Sequence, residues 1–336
     1  MEESRKKILV CYAYHESAEA ARNLAFFQRF GMRRKEDVDY ILVCNGPVKE
    51  GVSPAFEGWT AVLHRENFGF DFGAWRMALE IFAPFSLLPP RRGLPVEGKY
   101  DFFFFLNDTV RGPFASAFGE GEEMDWIGKM LPQLTASEKL GGLSINPYRQ
   151  PCGGIMPHVQ SMFFFTDRVG MGIISKVFRL PQRLKKDVIQ VQEVGMSTEI
   201  LRANFNITCA IPSLRHDYRL FTGYTAPPRR PIPPAWKSAI GARDVWFAGS
   251  YNYNAQRWPK SSETIFVKSN RANNPYEEES LKMENSIEIS KVEPENLIPA
   301  TKKESEMPTI SPNSQTEISP EAQNPEISTI DPKSER

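Results

Sequence analysis

Tyr100-Asp-Phe-Phe-Phe-Phe-Leu-Asn-Asp-Thr-Val-Arg-Gly-Pro113 is the stretch whose reading decides the fold. Four consecutive phenylalanines and a leucine predict a strand buried on both faces, because a half-solvated strand would alternate apolar with polar residues. The run stops at Asn107-Asp108-Thr109, and Arg111-Gly112-Pro113 must turn the chain. Small polar groups at the carboxyl end of a central strand sit where open α/β sheets bind ligands. Asp108 is a hard oxygen ligand with Thr109 beside it, a chemistry suited to Mg²⁺ or Mn²⁺ carrying a diphosphate. The plainer reading is that the triplet caps the strand and begins a turn.

Upstream, residues 7–14 form a short apolar run ending at His15-Glu16-Ser17. Ser17 can cap a helix over 18–30, with Leu24, Phe27 and Phe30 at helical spacing and Gly31 as the stop. A second apolar run, 40–44, closes at Asn45-Gly46-Pro47. Strand, helix, strand at this spacing begins a βαβ unit and implies a parallel sheet. A third strand, 60–64, runs into Arg65-Glu-Asn-Phe-Gly-Phe-Asp-Phe-Gly-Ala-Trp75. Two glycines there admit close backbone approach, while Arg65, Asn67 and Asp71 supply one cation and two oxygen-bearing groups. The helix expected over 74–82 would turn its first N–H groups toward an anion. The glycine spacing is not that of a dinucleotide fingerprint, and a tight strand-to-helix turn accounts for the segment equally well.

Downstream, the pattern predicts a helix over 125–134, strands over 140–145 and 162–166, and a helix over 185–194. A short helix over 200–204 and strands over 207–211 and 264–268 follow. The expectation is one α/β domain, 1–275, on a mostly parallel central sheet. The remainder differs: no aromatic residue follows Tyr276, and the chain from Glu277 onward carries 14 acidic against 6 basic groups, a net of −8. Ser, Thr, Pro and Glu recur in phrases such as Glu317-Ile-Ser-Pro320. Such a segment cannot bury enough apolar surface to offset its ordering entropy, so 276–336 is expected to be a disordered tail. The zero net charge of the whole therefore hides a body of 35 basic and 27 acidic groups, a net of +8. That excess suits an anionic small ligand, and no Lys/Arg block of nucleic-acid-binding length is present. The amino-terminal apolar run is too short for a signal peptide or a membrane span. Cys11, Cys44 and Cys209 lie in strand-like runs, Cys152 lies in a Pro/Gly loop, and none forms a CxxC pair. Reduced thiols in a cytoplasmic protein are the expectation.

Five phrases in order carry a resemblance. They are Arg65-Glu-Asn-Phe-Gly-Phe-Asp71, Phe105-Leu-Asn-Asp-Thr109 with Arg111-Gly-Pro113, His158-Val-Gln-Ser-Met-Phe-Phe164, Glu193-Val-Gly-Met-Ser197, and Pro259-Lys-Ser-Ser-Glu-Thr-Ile-Phe-Val-Lys-Ser-Asn-Arg271. Together they resemble the rhamnan-synthesis-F-like glycosyltransferases and related GT-A-type sugar-transfer proteins, over most of residues 7–271. The triplet here reads Asn-Asp-Thr where an Asp-x-Asp is the usual metal motif, and Trp258 stands before Pro259 where a histidine is expected.

The resemblance implies a single GT-A-like (Rossmann-like) domain with a nucleotide-binding amino half and an acceptor-binding carboxyl half. It implies transfer of a sugar from a nucleoside-diphosphate donor to a hydroxyl of a glycan acceptor, with a divalent cation, Mn²⁺ or Mg²⁺. On this reading Asp108 holds the metal, with His216 as an additional ligand. Lys268 and Arg271 grip the phosphates, and Tyr14, Arg65, Asn67, Asp71 and Asn107 line the donor site. His158, Gln160 and Ser161 face the acceptor. Inverting transfer needs a general base, for which Glu193 is the first choice and Glu199 the second. These two, six residues apart, would face different sides of a continuous helix. Two other classes compete: a non-catalytic nucleotide-sugar-binding module, and a metal-dependent phosphohydrolase using Asp108.

Overall fold

A computed structural model describes residues 6–32, 36–48, 58–84, 98–149, 155–179, 182–221, 265–269 and 276–289. Their architecture is mixed α/β. Seven strands form one sheet in the order β10-β6-β9-β4-β1-β2-β3: β1 Ile8–Tyr14, β2 Val38–Asn45, β3 Ala61–Arg65, β4 Phe102–Asn107, β6 Glu138–Gly142, β9 Phe163–Asp167 and β10 Asn206–Cys209. All neighbours run parallel except β9, which is antiparallel to both β4 and β6. Two short pairs stand apart from this sheet: β5 Val110–Arg111 with β11 Val267–Lys268, and β7 Ile145–Arg149 with β8 Ile155–Val159.

The four phenylalanines behave as their run predicts. Phe103 and Phe105 enter one apolar core and Phe104 and Leu106 the other. Alternation along a strand sends neighbours to opposite faces, so a strand covered on both sides must be apolar throughout. On the first face lie helices α2 Phe70–Phe82, α4 Arg168–Phe178 and α6 Val194–Arg202. On the second lie α1 Ala18–Phe26, capped by Ser17 Oγ accepting from Ala20 N at 3.0 Å, and α3 Trp126–Met130. The register of β4 against β9 opposes Phe104 to Phe165 and Phe105 to Phe164, and both ring pairs stack, at 5.3 and 4.6 Å. Such pairs add about 0.5–1.5 kcal/mol each beyond their buried area.

Several elements differ from their expected bounds. The helix of the Arg65–Trp75 phrase begins at Phe70, placing Asp71 in its first turn. The strand expected over 140–145 is two elements, β6 and β7, broken at Leu143-Ser144. The chain from Lys185 is helical without a turn at Glu193: α5 Lys185–Asp187, a π-helical segment Val188–Glu193, then α6.

The tail expectation is corrected over its first turns. Glu277–Ile289 is a helix, α7, and Tyr276 and Met283 are buried with Phe26, Phe30, Phe114 and Val267. Composition missed it because the packing is supplied by partners far back in the chain. Arg111, whose side chain is fully buried, donates from NH1 to Glu277 Oε2 at 2.8 Å, from NH2 to Glu19 Oε1 at 2.8 Å and from Nε to Asn23 Oδ1 at 2.9 Å. Arg22 adds a second bond to Glu277. The chain divides into Met1–Lys291 and Val292–Arg336; the latter lies outside the described residues. Among the described residues Cys11, Cys44 and Cys209 are free and buried. No described helix is long and apolar enough to cross a membrane.

A chain ending at Pro275 is therefore expected to melt lower than one ending at Lys291. Exposing the partners of Tyr276 and Met283 and removing one carboxylate from a buried guanidinium costs about 3 kcal/mol or more, on the order of 10 °C. Thermal melts of the two truncations check this; equal midpoints would show that α7 contributes nothing.

Candidate functional site

With six of seven strands parallel, the carboxyl ends of β1, β2, β3 and β4 open on one edge of the sheet. Polar residues gather there. At the end of β4, Asn107 donates from Nδ2 to Asp71 Oδ2 at 2.8 Å, while its Oδ1 accepts from Thr109 N (3.1 Å) and Thr109 Oγ1 (2.6 Å). The triplet thus does form a turn, and it also aims Asp108 and binds Asp71. Asp108 accepts from His15 N at 2.5 Å. The His15 ring places Nδ1 2.7 Å from the Asn45 carbonyl; a carbonyl only accepts, so Nδ1 carries a proton. Nothing in the sequence pattern singled out His15, which reads as a strand end; its role comes from the pairing of β1 with both β2 and β4.

The ionisation of this cluster is distinctive. Burial pushes the Asp108 carboxyl up to about 7, the neighbouring Asp71 charge pushes the same way, and contacts from His15 oppose it weakly. Burial raises Asp71 too, against its Asn107 bond and the charge of Lys268, and the Glu193 charge adds to the rise. Lys268 and Glu193 therefore lie within electrostatic reach of Asp71. Lys268 is brought there by pairing of β11 with β5, directly after the triplet, where Ser269 N donates to Thr109 O at 3.0 Å.

Glu193 is the reverse case. Burial alone would raise it, but His158 and two hydrogen bonds from Ser161 outweigh that and hold it below the usual carboxylate range. Ser161 N donates to Oε2 at 2.8 Å, the Ser161 hydroxyl donates to the same oxygen, and His158 Nε2 lies 3.6 Å from Oε1. Gln160, between them, takes a hydrogen bond from Ser144 Oγ at 2.9 Å. Tyr14 is buried and donates to Glu16 Oε2 at 3.1 Å.

Other expected site residues are placed differently. Arg65 is spent on neighbouring groups of the protein: NH1 donates to Asn45 Oδ1, at the end of β2, at 2.6 Å, and NH2 to the Phe68 carbonyl of its own turn. The close approach allowed by Gly73 is to that same Phe68 carbonyl, 2.2 Å from where a Cβ would stand. Asn67 is exposed. Glu199 pairs with Lys176 and with Arg202 at 3.1 Å, tying α6 to α4. His216 does not join Asp108. Its carbonyl accepts from Asn206 Nδ2 at 2.9 Å at the start of β10, the opposite edge of the sheet, about 20 Å of strand from the end of β4. Sequence order suggested the carboxyl end of that strand, but the chain folds back before reaching His216. Arg271 lies outside the described residues.

Among the described residues, no three His, Cys, Asp or Glu side chains converge as a preformed metal cage. One or two carboxylates facing an open edge is nevertheless the donor set that Mg²⁺ or Mn²⁺ uses when the remaining ligands are phosphates and water. Asp108 and Asp71, both raised by burial and with the Asp71 charge opposing the ionisation of Asp108, fit it.

No family model matches the chain, and no curated protein matches it. Among solved structures it is similar to the mannosyltransferase PcManGT from Pyrobaculum calidifontis in complex with GDP-Man and Mn²⁺, at 9% identity and a TM-score of 0.39. The similarity covers 62% of this chain and 55% of that one, so the match spans little more than half of that enzyme.

Folding carries a proton on Asp108 between its ordinary value of 3.8 and about 7, where the unfolded chain has lost it. The folded state binds more protons in that window, so this group's contribution weakens as pH rises through it. In cation-free buffer Asp108→Asn is expected to be more stable than the native chain by about 1–3 kcal/mol at pH about 8, the gap closing toward pH about 4. Urea titrations at both pH values test it; a pH-independent gap would remove the assignment.

Proposed function

We propose that this chain is a glycosyltransferase that takes a nucleoside-diphosphate sugar as donor, a divalent cation as cofactor and a glycan hydroxyl as acceptor. The observation that carries this reading is the pairing of two carboxylates that resist ionisation, Asp71 and Asp108, with a third, Glu193, that is held ionised within their electrostatic reach. Groups whose environments push their ionisation apart are suited to different roles. Asp108 and Asp71 are the cation's protein ligands, and Lys268 meets the diphosphate together with Arg271. Asn107 fixes the Asp71 carboxylate. A bound cation would neutralise charge developing on the leaving diphosphate. In inverting transfer Glu193 takes the proton of the acceptor hydroxyl. The acceptor oxygen bonds to the anomeric carbon, the bond from that carbon to the phosphate oxygen breaks, and the nucleoside diphosphate leaves with the electron pair. The +8 charge of residues 1–276 favours an anionic donor.

One observation favours a second reading, a non-catalytic nucleotide-sugar-binding module: both Glu193 oxygens already face partners, Ser161 and His158. Donor turnover separates the two. A panel of nucleotide sugars assayed for release of nucleoside diphosphate, with and without Mn²⁺, should identify one donor that is cleaved only with the cation. Binding without turnover across the panel would leave the module reading.

With that donor, Glu193→Gln should keep KM for the donor and lower kcat by about 10²–10⁴-fold. Glu199→Gln should transfer at close to the native rate while losing melting temperature, because Lys176 and Arg202 lose their shared partner. The opposite pattern would hand the base to Glu199.

A further inference from the structure

The segment that ends at Glu193 presents a surface that the proposed reaction leaves unused. Val188 and Gln192, four residues apart, are buried, so Ile189, Gln190 and Val191 between them face outward. Arg183, Leu184, Lys185 and Lys186, just before, are exposed as well. Phe68, in the turn before α2, adjoins this stretch: the Arg183 guanidinium lies 5.6 Å from its ring centroid. Phe68, Leu184, Ile189 and Val191 are four of the seven large apolar side chains exposed among the described residues, each by 40–54%. Exposed apolar surface gathered in this way marks an interaction site, whereas single residues scattered over a surface need no explanation. The winding that takes Glu193 to its partners decides which positions face out; it does not require those positions to be apolar.

Positive charge is gathered with them. From Gln182 to Val191 the chain has three cations, Arg183, Lys185 and Lys186, all exposed, and one acid, Asp187, half-buried. Glu66, two residues before Phe68, is the exposed acid of the adjoining turn. We propose that this face, Phe68 with the exposed side of 183–191, docks on an anionic lipid bilayer. Apolar side chains enter the acyl boundary there, while the ammonium and guanidinium groups stay among the headgroups on their long alkyl stems. The protein lies on the surface and does not span it. A second copy of this chain is a poorer occupant, because a two-fold pair would crowd these cations against their own counterparts. Docking brings Asp71 and Glu193 close to the headgroups, since Phe68 stands three residues before Asp71 and the segment ends at Glu193. The proposal does not rest on the transferase reading.

Co-sedimentation of the full chain with vesicles tests this, using phosphatidylcholine alone and phosphatidylcholine with phosphatidylglycerol in equal parts. The native chain is expected to bind the mixed vesicles and not the neutral ones, and to be released as salt is raised. Leu184→Ser, Ile189→Ser and Val191→Ser combined should weaken that binding by about tenfold or more. Lys185→Gln with Lys186→Gln should weaken it by a similar factor. All five positions are exposed, so both variants should keep the native melting temperature. Lys6→Gln with Arg29→Gln removes the same charge at exposed positions elsewhere and should bind nearly as the native chain does. Failure to bind the mixed vesicles, equal binding to the neutral ones, or full binding by either patch variant would overturn the proposal. An equal loss in the Lys6 and Arg29 pair would overturn it too, by showing that net charge alone drives adsorption. Sedimentation without vesicles that the serine variant abolishes would assign the face to a second copy of the chain instead.

Discussion

A guanidinium with no exposed side-chain surface is the constraint on which this structure turns. Removing charge from water is expensive, and a buried arginine is tolerated only when its donors are met in good geometry. Arg111 meets Glu19, Asn23 and Glu277, so α1, β5 and α7 are fixed to one another by a single side chain. The consequence reaches the site. Asn23, held from one end by Arg111, donates from its amide nitrogen to the Asp108 carbonyl at 2.6 Å and to Ser269 Oγ at 2.7 Å. The backbone that presents Asp108, and the strand that presents Lys268, are thus both referred to the same buried charge. Stability and site geometry are coupled through named bonds rather than through general compactness.

At the open edge, burial acts on three carboxylates and gives two outcomes. What decides between them is the count of donors. Glu193 receives an N–H, a hydroxyl and an imidazole, enough to outweigh desolvation. Asp108 receives one backbone N–H and Asp71 one amide; Asp108 also feels the charge of Asp71, and Asp71 that of Glu193. A cluster left short of donors in this way is unfavourable by itself and is relieved by a cation, whereas a carboxylate already satisfied has no such need. The same physical term therefore sets Asp71 and Asp108 apart from Glu193.

Much of the fold was legible in the chain because its signals were local. The Phe102–Leu106 run could only be a strand buried on both faces, and the Ser17 cap and the first βαβ spacing left one reading. What was not legible depended on pairing. The antiparallel insertion of β9 against β4 leaves no mark in either run, since both are equally apolar. His15 reaches Asp108 through strand register, a fold-back leaves the His216 carbonyl at the start of β10, and α7 drew its packing from Arg111 and Phe114, more than 150 positions earlier. Asn107, Asp108, Asp71, Lys268 and Glu193 could be singled out as candidates because their phrases were unusual, although the bonds joining them were not visible.

The segment Val188–Glu193 shows why Glu193 and Glu199 part company. In a regular helix six residues rotate a side chain by about 240°, so the two could never share a target. Here the helix is π-wound up to Glu193 and α-wound after it, a change of pitch that frequently marks functional positions. Its burial departs from the apolar pattern at three positions: Gln192 is inside with Val188, donating to the Val177 carbonyl at 3.1 Å, while Ile189 and Val191 are 40% and 52% exposed. A helix free to choose would turn those apolar residues inward. The departure is accounted for if the winding is set by what Glu193 must reach, Ser161 and His158, with the local hydrophobic order subordinate to it. Places where local preference yields to the whole are where function is expected. Glu199, one regular stretch further on, is turned toward α4 and pairs with two cations, Lys176 and Arg202.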